Sequence, residues 1–167
     1  MHPLASATLI SWRRNGAYAL RLVDDLSDAQ FVAQPAGLPA LLNPPAWILS
    51  HLNLYAPICA ALLRRQHFTD PIDHPFGMKS EISPRAADYP SRASLLADYQ
   101  RTHDDAQQAL ELADDRVFAE TNPLERWRSM HPTVGDMVNT LMVKHESHHL
   151  GQLSTWRRAM GLARVAM

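Results

Sequence analysis

Residues 133–161 read TVGDMVNTLMVKHESHHLGQLSTWRRAMG. Thr133-Val134-Gly135-Asp136 has the form of a capping box, in which a hydroxyl and an acidic side chain three residues later each satisfy an amide at a helix start. Val134, Val138, Leu141, His145, His149, Gln152 and Trp156 then recur every three or four residues, on one face of a helix. Gly161 is a natural C-terminal cap. The stripe is apolar except toward its middle, so this helix faces a core and carries imidazoles into it.

Three further helices precede that one in the sequence. Leu9, Trp12, Gly16, Leu20, Val23 and Leu26 mark the first, and Ser27-Asp28-Ala29-Gln30 then opens a short turn that Pro35 and Pro39 end. Asn43 before Pro44 predicts the N-cap of the second, with Trp47, His51, Leu54 or Tyr55, Ile58 and Leu62 on its stripe. Pro57 predicts a kink just past His51, because it removes a backbone bond and crowds the Asn53 carbonyl. Ser91 caps a third helix with Leu96, Tyr99, His103, Ala106 and Leu110 on one face, fading after Arg116. No stretch alternates with period two, and Ala and Leu far outnumber Val and Ile. These features predict an all-α protein, a four-helix bundle with long loops, as a single domain over residues 1–167.

Sixteen basic against seventeen acidic side chains leave a net charge of −1, without the surplus that binding a phosphate backbone requires, so nucleic acid is not an expected partner. Uninterrupted apolar stretches such as Ala56 to Leu63 fall short of the roughly 20 residues that cross a bilayer, which predicts no membrane span. Arg13 and Arg14 interrupt the place where a secretion signal would need its apolar run. Cys59 is the only cysteine, so no internal disulfide forms. Together these predict a cytoplasmic protein.

Histidine is over-represented, with nine residues. His145 and His149 stand one turn apart, about 5.4 Å along the axis, and a pair so placed can share one metal ion. The alternative is a pair of core histidines bonded to backbone or water. The residues 145–149 also fit the H-E-x-x-H pattern of zinc peptidases, but no Asp, Glu or His follows His149 to complete that ligand set. A third ligand therefore comes from upstream. His51 is the better candidate, on the apolar stripe among Trp47, Ile48, Leu52, Leu54 and Tyr55; His103, beside Asp104 and Asp105, is the competitor. His2, His67, His74 and His131 read as terminus or loop residues, His148 flanks the stripe, and Cys59 lies two turns past His51 and reads as core. Glu146 points about 100° away from His145, which suits an outer-shell or surface carboxylate as well as a general base.

Trp47-x-x-x-His51-Leu52 on one helix, with His145-Glu146-x-His148-His149-x-Gly151-Gln152 on another, resembles the DinB-like superfamily, which includes the YfiT-type metal proteins. The likeness runs from the first helix through Gly161. It implies a divalent metal held in a four-helix bundle by His51, His145 and His149, with zinc or nickel expected, and often a homodimer. Members of that superfamily include S-transferases and an isomerase that use low-molecular-weight thiols, and proteins described as metal hydrolases. The resemblance therefore implies a small-molecule substrate, and a thiol-dependent S-transferase before a hydrolase. Two other readings of the residues stay open: a bundle whose metal or small ligand is not turned over, and a helical interaction domain without metal. Three neutral imidazoles leave an ion its charge and an open position, the pattern of catalytic sites. The 67–90 loop, with four prolines and Phe68, Ile72, Phe76 and Met78, is expected to fold back and border the site, or else to patch the outside of the core or a dimer contact.

Overall fold

Four long helical rods form the computed structural model, which describes residues 1–166. The first is α1 (Pro3–Val23), followed by the single turn α2 (Asp28–Phe31), then α3 (Pro45–Leu63) and α4 (Arg92–Glu111). The last rod is composite, running α5 (Val134–Asn139), a π-helical turn (Thr140–His145) and α6 (Glu146–Ala159) without a break. No strand occurs among the described residues, only an isolated bridge between Thr121 and Thr133. The all-α bundle expected from periodicity is what forms.

The ends of these rods follow from their side chains. Pro3 begins α1 where its missing N–H would have been an orphan, and His2 Nδ1 accepts from the Leu4 amide. Both capping boxes are complete, Ser27 with Gln30 and Thr133 with Asp136. Gly161 adopts φ +71 and closes α6 through bonds from its own amide to Arg158 and from Leu162 to Arg157, a double bond pattern that leaves few carbonyls unpaired.

Several sequence expectations are corrected. Asn43 does not cap α3. Pro44 holds the N-cap position with no side-chain bond, and Asn43 instead donates to Gln152 Oε1 at 3.0 Å. Counted from Asn43, the second helical residue would be Pro45, which has no N–H for a cap to accept from, and the asparagine reaches across the bundle instead. On α1 the buried side is Ala5, Leu9, Trp12, Ala19, Leu22 and Val23, so Leu20 lies at its margin. On α4 Leu95, not Leu96, is buried. Helix α3 contains Pro57 and continues through it to Leu63, which leaves the expected kink neither shown nor contradicted. Residues 45–63 carry no charged side chain, and α3 as a whole is long and apolar enough to cross a membrane; 83% of its most apolar window is buried inside the bundle, the position of a core helix.

Two apolar clusters fill the interior, and every rod passes from one to the other. The switch falls between Trp12 and Tyr18 on α1, Leu52 and Tyr55 on α3, Tyr99 and Ala106 on α4, and Met142 and Leu150 on the composite rod. Buried polar side chains occupy those gaps: Asn15, Thr102, His103, Glu146 and His149, with His51 one residue before its gap. A polar layer therefore crosses the middle of the bundle. Buried polar groups cost roughly 1–3 kcal/mol each when unpaired, so a layer of them requires partners within it.

Candidate metal centre

His51 enters this layer from α3, and His145 and His149 from the opposite rod. The π turn ends at His145, with the Glu146 amide bonding to the Leu141 carbonyl five residues back. Such a turn accommodates one extra residue and rotates the residues beyond it by about 100° relative to an uninterrupted α-helix. From there α6 resumes normal geometry, so His145 and His149 face the same side one turn apart. One donor nitrogen from each of His51, His145 and His149 lies within 4.8 Å of the others. The closest pair is His51 Nε2 and His145 Nε2, at 3.0 Å. These three residues are the group that the spacing and the buried stripes single out.

The far sides of two rings are held by acceptors. His51 Nδ1 donates to the Phe76 carbonyl at 2.6 Å; a carbonyl can only accept, so the proton is on Nδ1 and the Nε2 lone pair is free. His149 Nδ1 lies 2.9 Å from Gln152 Oε1, which also accepts from Asn43, and the Gln152 amide nitrogen stands 3.0 Å from His148 Nε2. That network likewise leaves His149 Nε2 without its proton. Trp47 stacks on His51 with ring centroids 4.8 Å apart, and Tyr55 leans on both His51 and His145. The indole nitrogen of Trp47 is buried with no acceptor among the described residues.

Electrostatics favour the neutral rings. Burial pushes His51 below the ordinary imidazole range, with the Phe76 bond working against it. Burial, followed by the neighbouring His149, His51 and His148, takes His145 down to about 2. Burial and His51 take His149 down to about 3. Neutral imidazoles are the form that binds a metal. The donor set of three ring nitrogens, with two outer acceptors orienting them, fits a divalent ion.

The other chemistry-bearing residues go elsewhere. His103, the competing third ligand, lies 3.2 Å from Glu146 Oε1 and 3.1 Å from the Tyr99 hydroxyl, with its ring stacked on Trp12 at 3.7 Å between centroids. Glu146 is buried, accepting from Tyr99 at 2.5 Å, so it is neither a surface carboxylate nor one aimed at the three histidines. Cys59 is buried core, and burial raises its thiol well above the usual range. His148 is exposed beside a cleft of about 630 Å³ lined by Leu41, Asn43 and Gln152. His67 and His74 are exposed, but His2 is a cap and His131 bonds Thr140, so both are more than solvated surface. Sequence reasoning missed the Phe76 carbonyl, since a backbone group has no residue signature, and the Trp12–His103–Tyr99–Glu146 network, whose members are scattered over three rods.

Residues 11–153, most of the chain, match the family model described as the DinB superfamily. No curated protein and no solved structure gives a significant match.

Proposed function

The chain belongs to the DinB superfamily, and on that footing we propose that it is a metal-dependent enzyme that transfers a low-molecular-weight thiol to a small electrophile, with His51, His145 and His149 as the metal ligands. The observation that carries this reading is the convergence of three imidazoles, His51 and His149 buried and His145 half-buried, with His51 and His149 oriented by outer acceptors. A divalent ion, zinc or nickel, would supply Lewis acidity that lowers a thiol's pKa and keeps a thiolate nucleophile at neutral pH. The chain's own contribution is to present three neutral donors at no cost of deprotonation, to shield them with Trp47 and Tyr55, and to fix the tautomers of His51 and His149 through Phe76 and Gln152. The cleft at Asn43, His148 and Gln152 adjoins the His149 side of the centre and is the proposed approach for a small substrate. The Asn43 and His148 side chains offer it polar contacts.

Metal analysis of purified protein, followed by assays of a thiol panel against an aryl halide electrophile, tests the proposal. Turnover that needs both metal and thiol supports it. Hydrolysis of ester or amide substrates without thiol moves the reading to a metal hydrolase. Stoichiometric metal with no turnover leaves a binding bundle, and absence of metal after reconstitution removes every metal-based reading together.

A further inference from the structure

The segment Asp70–Met78, between α3 and α4, reaches back to the polar layer. Arg126 holds one end with two bonds to Asp70, at 2.5 and 2.8 Å, and its Nη1 also contacts Met78 Sδ at 3.6 Å. Asp70 in turn caps the 3-10 turn Pro71–Asp73 through the Ile72 amide. Between these anchors the Phe76 carbonyl meets His51 Nδ1, while the Phe76 ring packs on Tyr89.

Gly77 is the residue that lets this happen. Its φ is not in the left-handed region, so conformational freedom is not the reason for glycine. Crowding is. A Cβ there would stand 2.1 Å from the Pro71 carbonyl oxygen and 2.9 Å from that of Ile72, both backbone atoms that cannot swing aside. The Gly77 amide donates to the His74 carbonyl at 2.7 Å, which tightens the same turn. Any side chain at 77 must therefore push the turn open, and the Phe76 carbonyl belongs to the peptide unit joined directly to Gly77.

We propose that residues 70–78 form a strap linked to the metal centre, in which the Phe76 carbonyl is the positioning group that makes His51 an Nε2 ligand and Gly77 is required to deliver it. The inference rests on the three-histidine metal reading and goes beyond it by placing a control of that centre outside the bundle. An outer partner of a metal-bound histidine typically accounts for about 10–100-fold in affinity. Coupling is reciprocal, so metal bound at His51 must also favour the closed strap.

The test uses the full chain loaded with zinc, with affinity measured by competition against a chromophoric chelator, and with cobalt as a spectroscopic substitute. Gly77→Ala is expected to weaken zinc binding about tenfold or more and to shift the cobalt ligand-field bands, a readout that simple destabilisation would not move. Lys79→Ala, which removes an exposed ion pair to Asp73 in the same segment, is expected to change neither. Amide hydrogen exchange of residues 70–78 in the unmodified protein should slow when zinc binds. If Gly77→Ala does not fold, Asp70→Asn and the exchange experiment decide the matter, with weaker zinc binding and metal-dependent protection as the expected results. Normal zinc binding by the unmodified protein, with unchanged affinity in the variants and no protection of the strap, overturns the strap alone. Failure of the unmodified protein to take up either ion overturns the metal reading and the strap with it.

Discussion

The Nε2 atoms of His51 and His145 stand 3.0 Å apart although the residues are 94 positions apart in the chain. Two ligand nitrogens each about 2.1 Å from one ion are about 3.4 Å apart at a tetrahedral angle and about 3.0 Å apart at 90°. The two rings, now within hydrogen-bond distance of each other, therefore need move apart by no more than roughly a few tenths of an ångström to share an ion. His51→Ala or His145→Ala should abolish stoichiometric metal binding, measured by elemental analysis after reconstitution, while the protein remains helical by circular dichroism. Full occupancy in either variant would mean that the ion sits elsewhere.

An ion that binds only the folded state stabilises it by RT ln(1 + [L]/Kd), about 2.7 kcal/mol when the free ion is 100-fold above Kd. For a chain of this size that corresponds to a melting shift of about 5–10 °C. Chelation should produce a fall of that order, and readdition of zinc should restore it. A melting curve indifferent to verified metal loss would count against the site.

Arg157 is buried at 2% exposure, yet it is charged. Its guanidinium donates to both oxygens of Asp25, at 2.5 and 2.9 Å, and to the carbonyls of Leu22 and Ala163, so it ties the end of α6 to the end of α1. Removing one partner of a fully buried pair costs about 3–5 kcal/mol, but Asp25 is 56% exposed and water screens it, so Asp25→Asn should cost about 1–2 kcal/mol. The Arg157 hydrogen bond holds the Asp25 carboxyl below its ordinary 3.8. A depressed carboxyl contributes stability above its unfolded value and loses it as pH falls from there toward the folded value. Denaturant titrations should therefore show the gap between parent and Asp25→Asn closing below about pH 4, and a gap constant with pH would be inconsistent with this pair.

Much of this architecture is legible because it rests on periodicity. The Thr133 box, the stripe through Val138 and Leu141, and the one-turn spacing of His145 and His149 are local, and each survives into the structure. His51 is legible for a different reason: a histidine among Trp47, Ile48 and Leu52 has to be paired. The illegible parts are those made by backbone or by distant chain. The π turn at Thr140–His145 has no residue signature, yet it sets the rotation of α6 and buries Glu146. Asn43 reads as a cap because Asn before Pro usually is one, and only the second proline at 45 and the position of Gln152 make it a cross-bundle donor.

Tyr99→Phe tests whether Glu146 belongs to the structure or to the chemistry. The Tyr99 hydroxyl and His103 are the partners of Glu146 Oε1, in a region with almost no water contact. Deleting the hydroxyl leaves a buried carboxylate short of a donor and should cost about 1–3 kcal/mol in denaturant unfolding. Zinc affinity should stay within about twofold, a difference of roughly 0.4 kcal/mol, because the side-chain bonds of the pair run to each other and to His103, not to the three rings. A large loss of metal with unchanged stability would place Glu146 in the centre's own support.

Gln152 gives the sharpest test of the outer support on the α6 side. Its carbonyl oxygen accepts from His149 Nδ1 at 2.9 Å and from Asn43 at 3.0 Å, and its amide faces His148. One side chain thus fixes the tautomer of His149, joins α6 to the start of α3 and borders the cleft. Gln152→Ala removes all three at once, and zinc affinity should fall about 10–100-fold. Gln152→Glu separates them. A carboxylate still accepts from His149 and Asn43 but offers His148 no amide, so zinc affinity should be kept or raised while any dependence on the His148 contact is lost. If Gln152→Glu and Gln152→Ala weaken zinc equally, the Nδ1 bond does not orient His149, and the centre depends on packing by Trp47 and Tyr55 instead.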